Sequence, residues 1–225
     1  TTTDASGQDA DEDVKLALAL PENKGMSVVS DEHYNVSDTS VTAQASRLKS
    51  ANPQAVIVWA AGTPLGTALR AMNDVGLDVP TATTSANMVA PQIASYSAFL
   101  PREFYFTGAG FIANIAQSPD MRKAETFFYN AMRDANINVD FQTGMAYDPA
   151  WIVVNMLKKI GPDATALQMR DYLNNLKGFA GTSGVYDFTT GNQHGIDLKD
   201  ILVMRWDPTR NTWYTVSQFG GAPLK

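Results

Sequence analysis

Residues 55–59, AVIVW, are apolar throughout and rich in β-branched side chains. Such a run suits a strand buried on both faces of a parallel sheet. The segments around it fit that reading. Upstream, Asp38 or Thr39 can cap a helix reaching Ala51, with Val41, Ala45 and Leu48 on one face and Asn52-Pro53 as its stop. Downstream, Gly62-Thr63-Pro64 opens a helix with Leu65, Ala68, Leu69 and Met72 inward and Gly76 at its end. Thr81–Thr84 then reads as a strand, Val89–Leu100 as a helix and Phe104–Thr107 as a strand. Before them, residues 1–7 read as a loop ended by Ser6 or Gly7 as helix cap. A helix over 8–20 follows, with Asp9, Asp11, Glu12 and Asp13 in its first turns, and then a short β-like run, Met26–Ser30. A strand–helix period of about 25–30 residues predicts an α/β fold with a Rossmann-like doubly wound parallel sheet.

After Gly110 the rhythm changes. Residues 119–135, opened by Ser118-Pro119-Asp120, residues 146–160, and residues 165–176, capped by Asp163 or Thr165, read as three successive helices. β-like pieces follow at 184–188, 201–206 and 212–217. A crossing between two lobes near 107–118 accounts for the change, with Gly108 and Gly110 as permissive hinge residues.

Composition narrows the function. The chain has 225 residues, 44% of them apolar and 18% charged, which is ordinary for a globular protein. Its net charge of −6 argues against a nucleic-acid partner and against an anionic membrane surface. With no cysteine, thiol catalysis, cysteine zinc sites, iron–sulfur clusters and disulfides are excluded. No catalytic constellation stands out, so no cofactor is expected and the chain does not read as an enzyme. Gly108-Ala-Gly110-Phe-Ile-Ala113 matches the dinucleotide pattern G-x-G-x-x-A, but a helix should begin at once and Asn114–Pro119 intervene. The run from Asp9 to Asp13 resembles the start of a calcium loop, yet Val14 stands where such a loop needs glycine. His33 and His194 lie far apart in sequence.

In open α/β sheets, ligands sit beyond the carboxyl ends of the strands. That ranks three loops: Asp4–Gly7, Ala60–Pro64 and Ser85–Met88. All are rich in hydroxyls, small residues and helix N-terminal amides, which suit a carboxylate or another small polar ligand. N-capping alone would also explain their composition.

Four segments in order carry a resemblance: TDASGQDADEDVKLAL, DTSVTAQASRLKSANPQAVIVWAAGTPLGTALRAMNDVGLDVP, AYDPAWIVVNMLKKIGPDATALQMRDYLNNLKGFAGTSGVYDF and GNQHGIDLKDILVMRWDPTRNTW. Together they resemble the C-terminal part of a type I periplasmic binding protein of the branched-chain amino acid (Leu/Ile/Val) kind that serves ABC transporters. The resemblance implies two Rossmann-like lobes closing on a small-molecule ligand, a bacterial periplasmic or extracytoplasmic location, and a membrane ABC permease as partner. It also implies an N-terminally truncated fold. Residues 1–107 would be most of the second lobe, 108–118 the hinge crossover, 119–180 helices of the first lobe, and 181–225 strands returning through the hinge. A companion N-terminal fragment would complete the cleft, and without it the apolar faces of residues 119–176 would be exposed.

Carried over residue by residue, the resemblance points to Ser6 before the first helix, Thr63 with Gly62 after AVIVW, and Ser85 with Asn87 nearby. Tyr147, in AYDP, would stand near the cleft mouth or hinge, or pack in the core. Ser85 falls near the family's acidic residue that pairs with an amino acid's ammonium group. TATTSANM holds no Asp or Glu, so organic and aromatic acids compete with amino acids as the ligand. Two other readings stand beside this one: a ligand-sensing domain of a receptor or regulator on the same fold, and a nucleotide-dependent α/β enzyme.

Overall fold

In the computed structural model, which describes residues 1–224, the AVIVW run supplies β1 (Val56–Val58). β1 pairs in parallel with β2 (Thr81–Thr83), and β2 in parallel with β3 (Phe104–Gly108). β6 (Leu202–Asp207) and β7 (Thr212–Thr215) complete the strand order β1-β2-β3-β6-β7. Burial of β1 on both faces is corrected. Val56 and Val58 are buried, but Ile57 is 53% exposed. β1 is the outermost strand of this order, where one side of the pleat reaches solvent.

The chain forms two compact units, one of Thr1–Phe106 with Arg205–Thr212, the other of Thr107–Met204 with the residues from Trp213 onward. It passes between them within β3, within β6 and at the start of β7.

In the first unit α1 (Ala5–Leu18) and α2 (Thr42–Ser50) precede β1, and α3 (Thr63–Asp74) and α4 (Ala90–Ser95) alternate with β1, β2 and β3. The helix expected over 8–20 begins three residues earlier. Its cap is Asp4, whose side chain accepts from the Gly7 amide, so Ser6 lies inside the first turn and the acidic residues fall beyond it. Met26–Ser30 is not a strand. α3 buries Leu65, Ala68, Leu69 and Met72 as its spacing predicts.

In the second unit α5 (Pro119–Asp134) starts where expected, with the Ser118 side chain accepting from the Met121 amide. α6 (Phe141–Ile160) begins a full turn early, because Asp140 and Thr143 exchange hydrogen bonds in a capping box. α7 (Ala166–Asn174) has a similar box between Thr165 and Gln168. β4 (Lys177–Ala180), which the sequence did not announce, pairs antiparallel with β5 (Val185–Asp187).

That hairpin is fastened by a buried carboxylate. Asp148 of α6 accepts from the amides of Thr182 and Ser183, from Thr182 Oγ1 at 3.0 Å and from the Tyr186 hydroxyl at 3.0 Å. A Cβ on Gly181 would lie 2.5 Å from Asp148 Oδ2, and one on Gly184 would lie 2.8 Å from Asp200 Cγ. Gly181-Thr-Ser-Gly184 is therefore a seat for two carboxylates rather than a nucleophile site. Burial first, and then the Asp148 charge, push the Tyr186 phenol above its ordinary pKa.

α6 buries Gly144, Asp148, Ile152 and Met156, one every fourth residue. Outside that stripe Met145, Val153 and Val154 are exposed, and Trp151 stacks on exposed Phe127 of α5 at 5.3 Å. Apolar side chains of α6 thus extend beyond its buried stripe and form an exposed apolar surface with Phe127. Among the described residues, no helix is long and apolar enough to cross a membrane.

Two outcomes follow. This chain on its own should self-associate with concentration, and Phe127→Glu with Val154→Glu should abolish that in sedimentation velocity while leaving Tm nearly unchanged. Association that survives the double variant would remove this exposed surface as its cause. The second outcome concerns Glu125, whose side chain is buried on α5 with Arg122 Nη1 2.9 Å away. Burial raises its carboxyl to about 7 against the partial opposition of Arg122. The folded state thus holds a proton that the unfolded state releases near its ordinary value of 4.5. Stability should fall as pH rises between those two values, by at most about 3 kcal/mol. Glu125→Gln should flatten that slope in pH-dependent denaturant titrations; an unaltered slope would assign it to other groups.

Candidate functional site

The carboxyl ends of β1 and β2 in the first unit are joined by one side chain. Asn87, in the short 3-10 turn Ser85–Asn87 after β2, is fully buried. Its Nδ2 donates to the Ala60 carbonyl at 2.7 Å and to Thr83 Oγ1 at 3.0 Å. Its Oδ1 accepts from the Gly62 amide at 3.0 Å and from Gln92 Nε2 at 3.2 Å. Two donors and two acceptor positions are all an amide side chain has. Asn87 therefore positions the Ala60–Gly62 loop and has no free hydrogen-bonding position to offer a ligand. Thr83 Oγ1 passes the link on to the Val58 carbonyl at 2.8 Å.

Gly62 lies at φ 67°, a backbone setting that glycine takes without steric cost. Its carbonyl accepts from the Tyr96 hydroxyl at 3.2 Å. This bend turns the chain straight from β1 into α3, whose first residue is exposed Thr63. Ser85 is half-buried at the start of the turn after β2. Gly62, Thr63, Ser85 and Asn87 are thus brought to one edge of the sheet.

The third loop reaches the same edge. The Thr2 amide donates to the Trp59 carbonyl at 3.3 Å, and Thr2 bridges Tyr34 in parallel. The Tyr34 hydroxyl reaches the Pro64 carbonyl at 3.0 Å. Asp4 accepts from Thr2 Oγ1 at 2.8 Å and from the Gly7 amide at 3.1 Å. Those two bonds, Thr2 first, hold its carboxyl below the usual carboxylate range. Ser6 is exposed beside it on α1. Residues 59–64 and 84–88, WAAGTP and TSANM, contain no charged side chain. Thr63 and Ser85 bring hydroxyls to the edge, and the Tyr96 hydroxyl is spent on the Gly62 carbonyl.

Tyr147 belongs to the second unit. Its ring lies 4.8 Å from Phe128 and 6.5 Å from Trp151, against the core of Ala109, Phe111 and Phe128. Its hydroxyl is buried and takes no hydrogen bond. Gly108 ends β3, and Gly110 opens a short 3-10 turn. Neither has positive φ. Gly110 is required by space: a Cβ there would lie 2.1 Å from the Ile115 carbonyl oxygen and 2.9 Å from the Phe219 ring. The dinucleotide pattern lacks its helix. The turn over Gly110–Ala113 ends at Asn114 in the left-handed region, and α5 starts only at Pro119.

Sequence reasoning missed Tyr34, Trp59, Gln92 and Tyr96. Tyr96 carries a signal in hindsight, since an aromatic hydroxyl late in a predicted amphipathic helix needs a polar partner when buried.

A family model described as periplasmic binding protein matches residues 1–211. Among solved structures, an extracellular ligand-binding receptor from Rhodopseudomonas palustris HaA2 is 20% identical, with a TM-score of 0.82 over 96% of this chain and 62% of its own. A type 1 periplasmic binding protein from Bordetella pertussis Tohama I is 19% identical, with a TM-score of 0.78 over 99% of this chain and 59% of its own. The branched-chain amino acid transporter substrate-binding protein LivJ of Streptococcus pneumoniae, in complex with isoleucine, is 18% identical, with a TM-score of 0.71 over 96% of this chain and 58% of its own. The chain therefore spans about three-fifths of the length of these structures. Comparison with curated proteins finds no match.

Asn87→Ala should leave two backbone groups and the Thr83 hydroxyl without their partner. The expected outcome is a loss of about 2–4 kcal/mol in urea unfolding, with faster amide exchange at Gly62. Unchanged exchange there would mean that the loop is held by other contacts.

Proposed function

The chain belongs to the periplasmic binding protein family, and from that premise we propose that it is the solute-binding component of a bacterial ABC importer, acting outside the cytoplasm. It captures a small polar molecule and presents it to a membrane permease. The observation that carries this reading is the uncharged edge at the ends of β1 and β2, set by Asn87. Side-chain hydroxyls and the Thr63 amide at the start of α3 can hold a polar solute, and no group there is suited to a chemical step. No catalytic role is assigned, and affinity comes from hydrogen bonds and apolar contact alone.

Two lobes close on the ligand, with Gly108 and Gly110 in the crossover between them. Contacts from both sides favour the closed state. Thr63 and Ser85 contact the ligand, Gly62 and Asn87 shape the loop that carries it, and Ser6 flanks it. Tyr147 serves packing more than capture. The edge supplies no carboxylate besides capped Asp4, so an organic or aromatic acid, or a neutral solute, suits it better than an α-amino acid, whose ammonium group is costly to bury unpaired.

A thermal-shift panel of aliphatic and aromatic acids, branched-chain amino acids and nucleotides tests this. An acid should raise Tm, and Thr63→Ala with Ser85→Ala should weaken its binding roughly tenfold. Response to isoleucine over every acid would reverse the ligand class. Unchanged affinity in both variants would sink the site, and response to nucleotides alone would sink the function.

A further inference from the structure

Away from that edge, three side chains of the first unit converge with no role in it. Asp11 projects from α1, while Asp31 and His33 stand two residues apart in the segment leading to Tyr34. Each offers one ligand atom within 4.8 Å of the others. His33 Nδ1 is 3.6 Å from Asp11 Oδ2, and His33 Nε2 is 3.5 Å from Asp31 Oδ1. Neither pair makes a hydrogen bond of ordinary geometry.

Of the neighbouring cations, Lys15 and Arg47 have closer carboxylate partners, while the Thr1 ammonium is attracted by both Asp11 and Asp31. Lys15 pairs with Glu12 at 2.8 Å, and Arg47 pairs with Glu32 at 2.6 Å. Among the described residues, neither Asp11 nor Asp31 has a Lys or Arg side chain as ion-pair partner. The hydroxyl of Thr1 sets the tautomer of the ring between them. It donates to Asp11 Oδ1 at 3.0 Å and lies 3.0 Å from His33 Nδ1. Its one hydrogen is used, so Nδ1 must donate to it. That leaves Nε2 as the ring nitrogen directed at the Asp31 carboxylate, 3.5 Å away.

We propose that Asp11, Asp31 and His33 form a site for a divalent first-row metal ion, with zinc as the best match. Zinc takes imidazole nitrogen and carboxylate oxygen at about 2.0–2.2 Å, which sets tetrahedral ligand atoms roughly 3.3 Å apart. The 3.5 Å from Nε2 to Asp31 is close to that edge already. Asp11 closes in by a side-chain movement, and water completes the shell. Nδ1–H donating to Thr1, which donates to Asp11, gives the ring the outer hydrogen-bond chain that metal-bound histidines commonly have. One nitrogen with two carboxylates favours zinc over magnesium or calcium, which prefer oxygen alone. The ion would tie α1 to the segment that delivers Tyr34 to Pro64.

Isothermal titration with zinc chloride in a non-chelating buffer tests the proposal. One equivalent should bind, with a rise in Tm that EDTA reverses. His33→Gln and Asp31→Asn should each weaken binding roughly tenfold or more. His194→Gln, which removes the other histidine, should leave it unchanged. Absence of stoichiometric binding at millimolar zinc overturns the site, as does binding that survives His33→Gln or depends on His194. Should either variant misfold, the wild-type imidazole proton resonances decide. Zinc should shift those of His33, and a shift confined to His194 overturns the assignment.

Discussion

The side-chain amide of Asn87 sets the geometry of the first unit at the carboxyl ends of β1 and β2. Its four hydrogen bonds reach the loop after β1, the end of β2, the start of α3 and the body of α4. A parallel sheet leaves its carboxyl ends as a row of separate loops, each free to drift. A neutral side chain with matched donors and acceptors ties two of them without burying a charge. The bend at Gly62 and the exposed position of Thr63 both follow from that tie.

The second unit solves a comparable problem with charge. Asp148 and Asp200 are buried; Asp148 is met by the amides of Thr182 and Ser183 between β4 and β5, and Asp200 by those of Val185 and Asp197. A buried carboxylate is tolerated when backbone donors surround it, because those donors need partners of their own. Glu125 is the exception. Arg122 stands beside it, but its oxygens have no hydrogen bond, and burial keeps its proton on to about 7.

Much of this architecture was legible in sequence, and the failures share a cause. The helices were visible because Leu65, Ala68, Leu69 and Met72 repeat with helical spacing, as does Ser118-Pro119 as a start. β1, β2 and β3 were visible as short β-rich runs between them. The family resemblance was also legible, though only as an ordered combination of segments. What failed depended on partners distant in the chain or on backbone geometry. Asp4 displaced Ser6 as the cap of α1, and Gly7 is fixed there because a Cβ would strike the Thr2 carbonyl. β4 was hidden by Gly178 at φ 73°. The four bonds of Asn87 were not legible, because nothing in TATTSANM announces that Ala60 and Gly62 take part in them. Asp148 went unnoticed in AYDP because its partners lie at least 34 residues away.

The lack of charged side chains at residues 59–64 and 84–88 has a consequence for how this edge responds to acidity. Apart from Asp4, the groups that shape it are amides and hydroxyls, which hold their hydrogen bonds in acid and near neutrality alike. An edge built this way keeps its shape over a wide range of acidity, and a change in what it holds would have to come from the bound molecule's own ionisation.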